Sequence, residues 1–196
     1  MSENYISAII DPIDNILREN QEYQNNKQFI VLLSSKYFST DFRSQNEKLG
    51  SSVSTDLINK SFALTINIKR LLGDNIYMII NDKLINEFDI KGDELFALML
   101  HELGHVFNRF REFEEAKIIK TIDETILKEL SEENESYADS FAKVNGFQNS
   151  AIMVINKYKI VDSSLSSQLD LRIKRLNSEE VYLGVSVFDT RPYVNI

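Results

Sequence analysis

Residues 92–113 read GDELFALMLHELGHVFNRFREF, and the reading of this stretch decides the fold. Leu95, Leu98, Met99, Leu103, Val106, Phe107, Phe110 and Phe113 recur at steps of three and four, the mark of an amphipathic helix. Gly92-Asp93 supplies a break and an N-cap before it. Inside the stretch lies His101-Glu102-Leu103-Gly104-His105, which contains both histidines of the chain. At about 3.6 residues per turn, positions four apart lie nearly above one another. His101 and His105 therefore project from one face, close enough to bind a single metal ion. Glu102 is placed to reach a water on that ion. The pattern predicts a zinc hydrolase helix with the glutamate as general base.

Gly104 costs a helix interior about 1 kcal/mol relative to alanine. A physical reason to accept it is a neighbouring element so close that a side chain would crowd it. Mere tolerance is the competing reading.

Catalytic zinc usually takes three protein ligands and one water. The chain has no cysteine and no third histidine, so the third ligand must be a carboxylate. Glu135-Ser136-Tyr137-Ala138-Asp139 offers one on a predicted helix, with Glu135 and Asp139 again four apart on a shared face. Glu135 is the candidate ligand. Asp139 is the candidate acceptor for the far ring nitrogen of a ligand histidine, His101 first, which fixes its tautomer. The rival reading is a solvated acidic face, because Glu132 and Glu133 lie beside it. An intact histidine pair upstream favours the ligand reading.

Strands are predicted before the helix. Phe62-Ala63-Leu64-Thr65-Ile66-Asn67-Ile68 alternates as a half-buried strand should. Gly73-Asp74-Asn75 is a turn cluster. The run Ile76-Tyr77-Met78-Ile79-Ile80 is short, apolar and β-branched. It is the candidate exposed edge that would pair with an extended substrate and hold its scissile carbonyl near the metal. A core strand with no substrate role competes with that reading.

Together these residues resemble the gluzincin metallopeptidases, which pair HExxH with a downstream glutamate. Within that class they are most similar to the soluble domains of the Ste24/HtpX-type, M48-like group. The resemblance runs from about residue 76 to 176. It covers the strand 76–80, Asp93-Glu94-Leu95, the HELGH helix and the ExxAD helix at Glu135 to Asp139. A later family element reads H-P-x-x-x-x-R-I-x-x-L. Residues 166–176 match it in Arg172, Ile173 and Leu176, but carry Ser166 and Ser167 where the family has histidine and proline. The resemblance implies zinc-dependent peptide hydrolysis with His101, His105 and Glu135 as ligands. It also makes Arg172 the first candidate for a second electrophile. Tyr137 is a weaker candidate, since it falls on an apolar stripe. A structural salt bridge from Arg172 to Asp139 or Glu135 is the alternative for that arginine.

Composition bounds the rest. At 196 residues with 43% hydrophobic content, one domain with a core of its own is expected. The fold class expected is α+β: a mostly helical, zincin-like domain over 1–196, with a small sheet packed beside the HExxH helix. Its parts are a helical segment to about residue 60, a catalytic core at 61–177, and a C-terminal strand and tail at 178–196. A net charge of −8 argues against non-specific binding to nucleic acid or anionic membranes. No apolar stretch is long enough to span a bilayer. The N-terminus carries early acidic residues and lacks a basic, then apolar, leader. A cytoplasmic protein with a peptide or protein substrate is the expectation, and the absence of cysteine agrees with a reducing compartment.

Other elements follow from local signals. A helix is expected over about 5–28, with Pro12 at a kink or in its first turn. Residues 29–38 fit a strand or a buried helix equally. Residues 49–54 read as a loop. Thr121-Ile122-Asp123-Glu124 forms a capping box opening the ExxAD helix, and Asn145-Gly146 stops it. Helices are expected near 150–160 and 165–177, and a last strand over 181–188. That strand could lie in the cleft as a latency segment, with Asp189 near the metal, or complete the sheet elsewhere. Two other function classes stay open: hydrolysis of a non-peptide substrate, and a zincin-fold binding protein without turnover.

Overall fold

The structure, a computed structural model, describes residues 28–37, 59–70, 73–116 and 124–181. Residues 5–27 of the helix expected over 5–28, the loop at 49–54, the first three residues of the capping box and the tail beyond 181 with Asp189 lie outside the described residues, and Gln28 belongs to a strand. The chain divides into two compact units, Met1–Lys91 and Gly92–Ile196. The described part is α+β and mostly helical.

In the first unit, β1 (Gln28–Leu33), β2 (Ala63–Arg70) and β3 (Gly73–Ile80) form a sheet of order β1-β3-β2. β3 runs parallel to β1, with Phe29 opposite Ile76, and antiparallel to β2, with Thr65 opposite Met78. The expectation that Ile76, Tyr77, Met78, Ile79 and Ile80 form an exposed edge is therefore corrected: both sides of β3 are hydrogen-bonded. The physical reason is in the residues. Met78, Ile79 and Ile80 are consecutive and all at most 1% exposed, so both faces of the strand are covered. A continuous apolar run is what a central strand needs, whereas an edge is usually blunted by charge.

Of the two readings of residues 29–38, the strand holds through Leu33, and residue 38 lies outside the described residues. β1 is followed at once by a single helical turn, α1 (Ser34–Tyr37). Ser34 Oγ and the Ser35 N–H both donate to Asp82 Oδ1, at 2.8 and 3.1 Å. Asp82 opens α2 (Asp82–Glu87), which Asn81 caps by accepting from the Leu84 N–H.

The second unit is helical: α3 (Asp93–Ala116), α4 (Glu124–Val144), α5 (Gln148–Val161), a short 3-10 turn (Ser163–Leu165) and α6 (Ser166–Asn177). α3 carries the apolar stripe read from the sequence, with Leu95, Met99 and Leu103 fully buried, and Leu100 beside the stripe is fully buried as well. Gly146, at φ +87, ends α4. The Gly146 N–H donates to Lys143 O and the Phe147 N–H to Ala142 O, the paired bonds of a Schellman stop. Phe147 then packs edge-on against Phe96 of α3 at 4.8 Å, which ties that stop to the central helix.

The packing of α3 on α4 explains Gly104. A Cβ at this position would lie 2.6 Å from Ala138 Cα and 3.1 Å from Phe141 Cβ. The two backbones approach this closely only because one residue lacks a side chain and its neighbour has a single methyl. The close approach brings residues 134–139 of α4 beside the histidine face of α3. No helix among the described residues is long and apolar enough to cross a membrane.

Candidate metal centre

His101 and His105 stand one turn apart on α3, their rings 4.7 Å apart and nearly perpendicular. Their Nε2 atoms face each other at 3.1 Å. Their side chains are 11% and 12% exposed. Glu102, 6% exposed, follows His101 on the same turn. Donor atoms of His101, Glu102 and His105 all lie within 4.8 Å of one another, a group that can hold a metal ion.

α4 closes the arrangement from the side. Glu135 Oε2 lies 3.5 Å from His101 Nε2, and Glu135 Oε1 lies 3.4 Å from His105 Nε2. One turn further on, Asp139 Oδ1 accepts from His101 Nδ1 at 2.9 Å. One residue before Glu135, Asn134 Oδ1 sits 3.0 Å from His105 Nδ1. Each imidazole thus has a partner at its far nitrogen, and both Nε2 atoms converge on one point.

α6 contributes Arg172. Its Nε and Nη2 donate to the two oxygens of Asp139 at 2.8 and 2.7 Å, a bidentate pair. Its Nη1 lies 2.9 Å from Glu135 Oε2. All three guanidinium nitrogens therefore face carboxylates. Of the two readings of this residue from the sequence, the geometry is that of the salt bridge, made to Asp139 and Glu135 at once.

The charges respond to this packing. Burial alone would raise the Asp139 carboxyl, but Arg172 and the His101 hydrogen bond overcome it and hold the group well below the usual carboxylate range. Burial likewise opposes ionisation of Glu135, and Arg172 with the two histidines reverses that and lowers it. Arg172 is raised despite its burial, by Asp139 first and Glu135 next. The two imidazoles part company. Burial and Arg172 work against a charge on His101, yet Asp139 and Glu135 outweigh them and raise it. His105 is lowered, by burial and then by the charge of His101.

Two residues of this cluster carry no signal in the motif spacing. Asn134 enters as the partner of His105. Asn108, 7% exposed, donates from Nδ2 to the same Asn134 oxygen at 3.0 Å. A polar side chain three residues past His105, beside the apolar stripe of α3, is the cue that could have marked Asn108. A further pair braces the far side, where Arg175 Nη1 donates to Ser136 Oγ at 2.7 Å.

No family model, no curated protein and no solved structure matches the chain.

Proposed function

We propose that the chain is a zinc-dependent peptidase with a zincin-like core, its metal held by His101 Nε2, His105 Nε2 and one oxygen of Glu135. The observation that carries this reading is the convergence of three side chains: the two Nε2 atoms lie 3.1 Å apart, and Glu135 approaches both, with Oε1 3.4 Å from His105 Nε2 and Oε2 3.5 Å from His101 Nε2. A tetrahedral ion with bonds of about 2.0–2.2 Å has ligand atoms roughly 3.3–3.6 Å apart, so these separations are of the size one ion needs once the Glu135 carboxylate turns one oxygen to it. Two imidazoles and a carboxylate suit zinc best among the common divalent ions.

Hydrogen bonding and charge support the same reading. With the Nδ1 protons of the histidines directed at Asp139 and Asn134, both Nε2 lone pairs point inward at 3.1 Å from each other. A cation between them relieves that repulsion. Glu102, Glu135 and Asp139 bring three carboxylates against the one guanidinium of Arg172. The formal excess is two negative charges in a largely buried cluster, which a divalent ion neutralises.

A bound zinc ion would supply Lewis acidity, making a water acidic near neutral pH and polarising a carbonyl. The chain's own residues divide the remaining work. Glu102 takes the proton of the attacking water and passes it to the leaving amine. Asp139 holds the His101 proton on Nδ1 so that Nε2 stays available. Arg172 orients Glu135 and Asp139 against each other through its three nitrogens. The choice of a peptide as substrate rests on the resemblance of HELGH and ESYAD to the gluzincin pair.

Elemental analysis of protein purified without chelators tests the metal site. About one zinc per chain is expected, lost in His105→Ala and in Glu135→Ala. Zinc retained in Glu135→Ala sinks the ligand set. A peptide library then tests the reaction, with Glu102→Gln expected to keep zinc and lose roughly 10²- to 10⁴-fold in turnover. Undiminished cleavage by that variant removes Glu102 from the chemistry.

A further inference from the structure

The two histidines lean on different kinds of partner. Asp139 presents an acceptor to His101 whichever way its carboxylate turns. Asn134 does not have that symmetry. Its amide has an oxygen at one end and an NH2 at the other, nearly equal in shape, and a half-turn about the last side-chain bond exchanges them. With the oxygen toward His105, the imidazole keeps its proton on Nδ1 and Nε2 is a bare donor. With the NH2 toward His105, Nδ1 becomes the acceptor, the proton moves to Nε2, and the atom that should face the metal is capped.

Something must choose between those two orientations, and Asn108 is in position to do it. Its Nδ2 donates to the same Asn134 oxygen that lies against His105 Nδ1, both at 3.0 Å. Turning the Asn134 amide over would set its NH2 against the Asn108 NH2, so the bond between the amides is lost unless Asn108 turns with it, and the His105 contact survives only with the ring proton on Nε2. Asn108 is buried, so water is poorly placed to replace the lost partner. Asn108 lies on α3 and Asn134 on α4, so the contact also depends on the close approach at Gly104.

We propose that Asn108 is a positioning residue for His105: it locks the Asn134 amide oxygen-first, so that His105 offers Nε2 to a metal ion. This rests on the metal-site reading above. Asn108 touches neither metal nor substrate. It acts through Asn134, and its removal leaves the three ligands in place while letting the amide turn.

The test is a double-mutant cycle read by cobalt binding. Co²⁺ alone is titrated into metal-free protein, and the d–d absorption gives its affinity. The shifted ring N–H protons of the ligand histidines are followed in the paramagnetic NMR spectrum. Asn108→Leu is expected to weaken Co²⁺ binding about tenfold, within the span usual for partners of ligand histidines. It should also broaden or shift one of two ring N–H signals. Asn134→Asp has an acceptor at both ends, so orientation no longer matters there. In that background Asn108→Leu should change affinity less than about twofold and leave both N–H signals. Asn108→Ala serves in its place if the leucine variant does not fold. An equal loss in both backgrounds means that Asn108 only packs α3 on α4, and overturns the proposal. No loss in the wild-type background overturns it as well. Failure of the wild-type protein to bind cobalt brings down the metal-site reading itself, and this inference with it.

Discussion

His101 and His105 occupy equivalent places on one helix face, yet their surroundings are opposites. His101 is backed by an ionised network in which Asp139 takes the ring proton and Arg172 ties Asp139 to Glu135. His105 is backed by two neutral amides, Asn134 and Asn108. Charge explains why burial has different outcomes at the two rings. At His101 burial is overcome by Asp139 and Glu135, while at His105 burial and the charge of His101 outweigh Glu102, Glu135 and the Asn134 amide. The lesson is that the HExxH spacing sets the two donor atoms but not the support behind them. That support comes from α4 and α6, through contacts distant in sequence.

The largest break in this comparison comes from removing the shared cation. Arg172→Met leaves Asp139 and Glu135 without their guanidinium in a largely buried site. Breaking a buried pair on one side costs about 3–5 kcal/mol. Urea unfolding of the metal-free variant should show a loss of that order. A change under about 1 kcal/mol would mean that the network is solvated and the charged side is no stronger than the neutral one.

Acid should separate the two sides as well. Asp139 and Glu135 are held below their ordinary values of 3.8 and 4.5. A carboxyl with a depressed folded pKa contributes stability that is complete above its unfolded value and is lost as pH falls through the folded one. Metal-free protein should therefore lose stability steadily as pH drops below about 5. Asp139→Asn should remove part of that dependence, because the most depressed group is gone. Asn134→Leu should leave its slope unchanged, because no ionisable group is lost. Equal slopes for the two variants would contradict the division of the site into charged and neutral halves.

Metal affinity sharpens the comparison. Asp139→Asn keeps an acceptor for His101 but loses the charge, and Asn134→Leu loses the acceptor for His105 outright. Each should weaken zinc binding about 10- to 100-fold. Competition with a chromophoric chelator measures both. Asn134→Asp runs the other way, giving His105 the kind of partner His101 has, and should tighten binding. Weaker binding by that variant would mean that the neutral amide is required at His105 for a reason other than its acceptor.

Much of this site was legible in the residues. His101 with His105 and Glu135 with Asp139 stand out because each pair sits four apart, which helical periodicity turns into a shared face, and Glu102 stands out as the acid inside the histidine pair. Gly104 was legible only as a question, since a glycine inside a strong helix fits either a close approach or mere tolerance, and the 2.6 Å approach to Ala138 answers it. Asn134 and Asn108 were not legible, since an asparagine on a helix has no preferred partner until a second helix is brought against it. Arg172 stayed between two roles for the same reason. The place of the run Ile76 to Ile80 was hidden differently. Whether a strand is central or at an edge depends on what pairs beside it, and its parallel neighbour β1 lies more than forty residues away in sequence. Local pattern carries burial, and here it carried burial on both faces, but it does not carry strand order.

The smallest effect on stability, and the most diagnostic of geometry, is expected from Gly104→Ala. Alanine in place of glycine favours an exposed helix by about 1 kcal/mol. Here the new methyl meets the Ala138 backbone at 2.6 Å, and backbone cannot step aside as a flexible side chain can. Overpacking of this kind costs about 1–3 kcal/mol, so the two terms nearly offset and the net loss should be about 0–2 kcal/mol. Affinity for metal should suffer more than stability does. The strain is relieved by moving α4 away from α3, and α4 carries Glu135, Asn134 and Asp139, the proposed ligand and both histidine partners. Zinc affinity should fall at least tenfold while the urea midpoint moves little, because metal geometry tolerates only about 0.2 Å of error. A variant that binds zinc as the wild type does would show that the helices separate without carrying the site apart. Both halves of the histidine support would then have to adjust together.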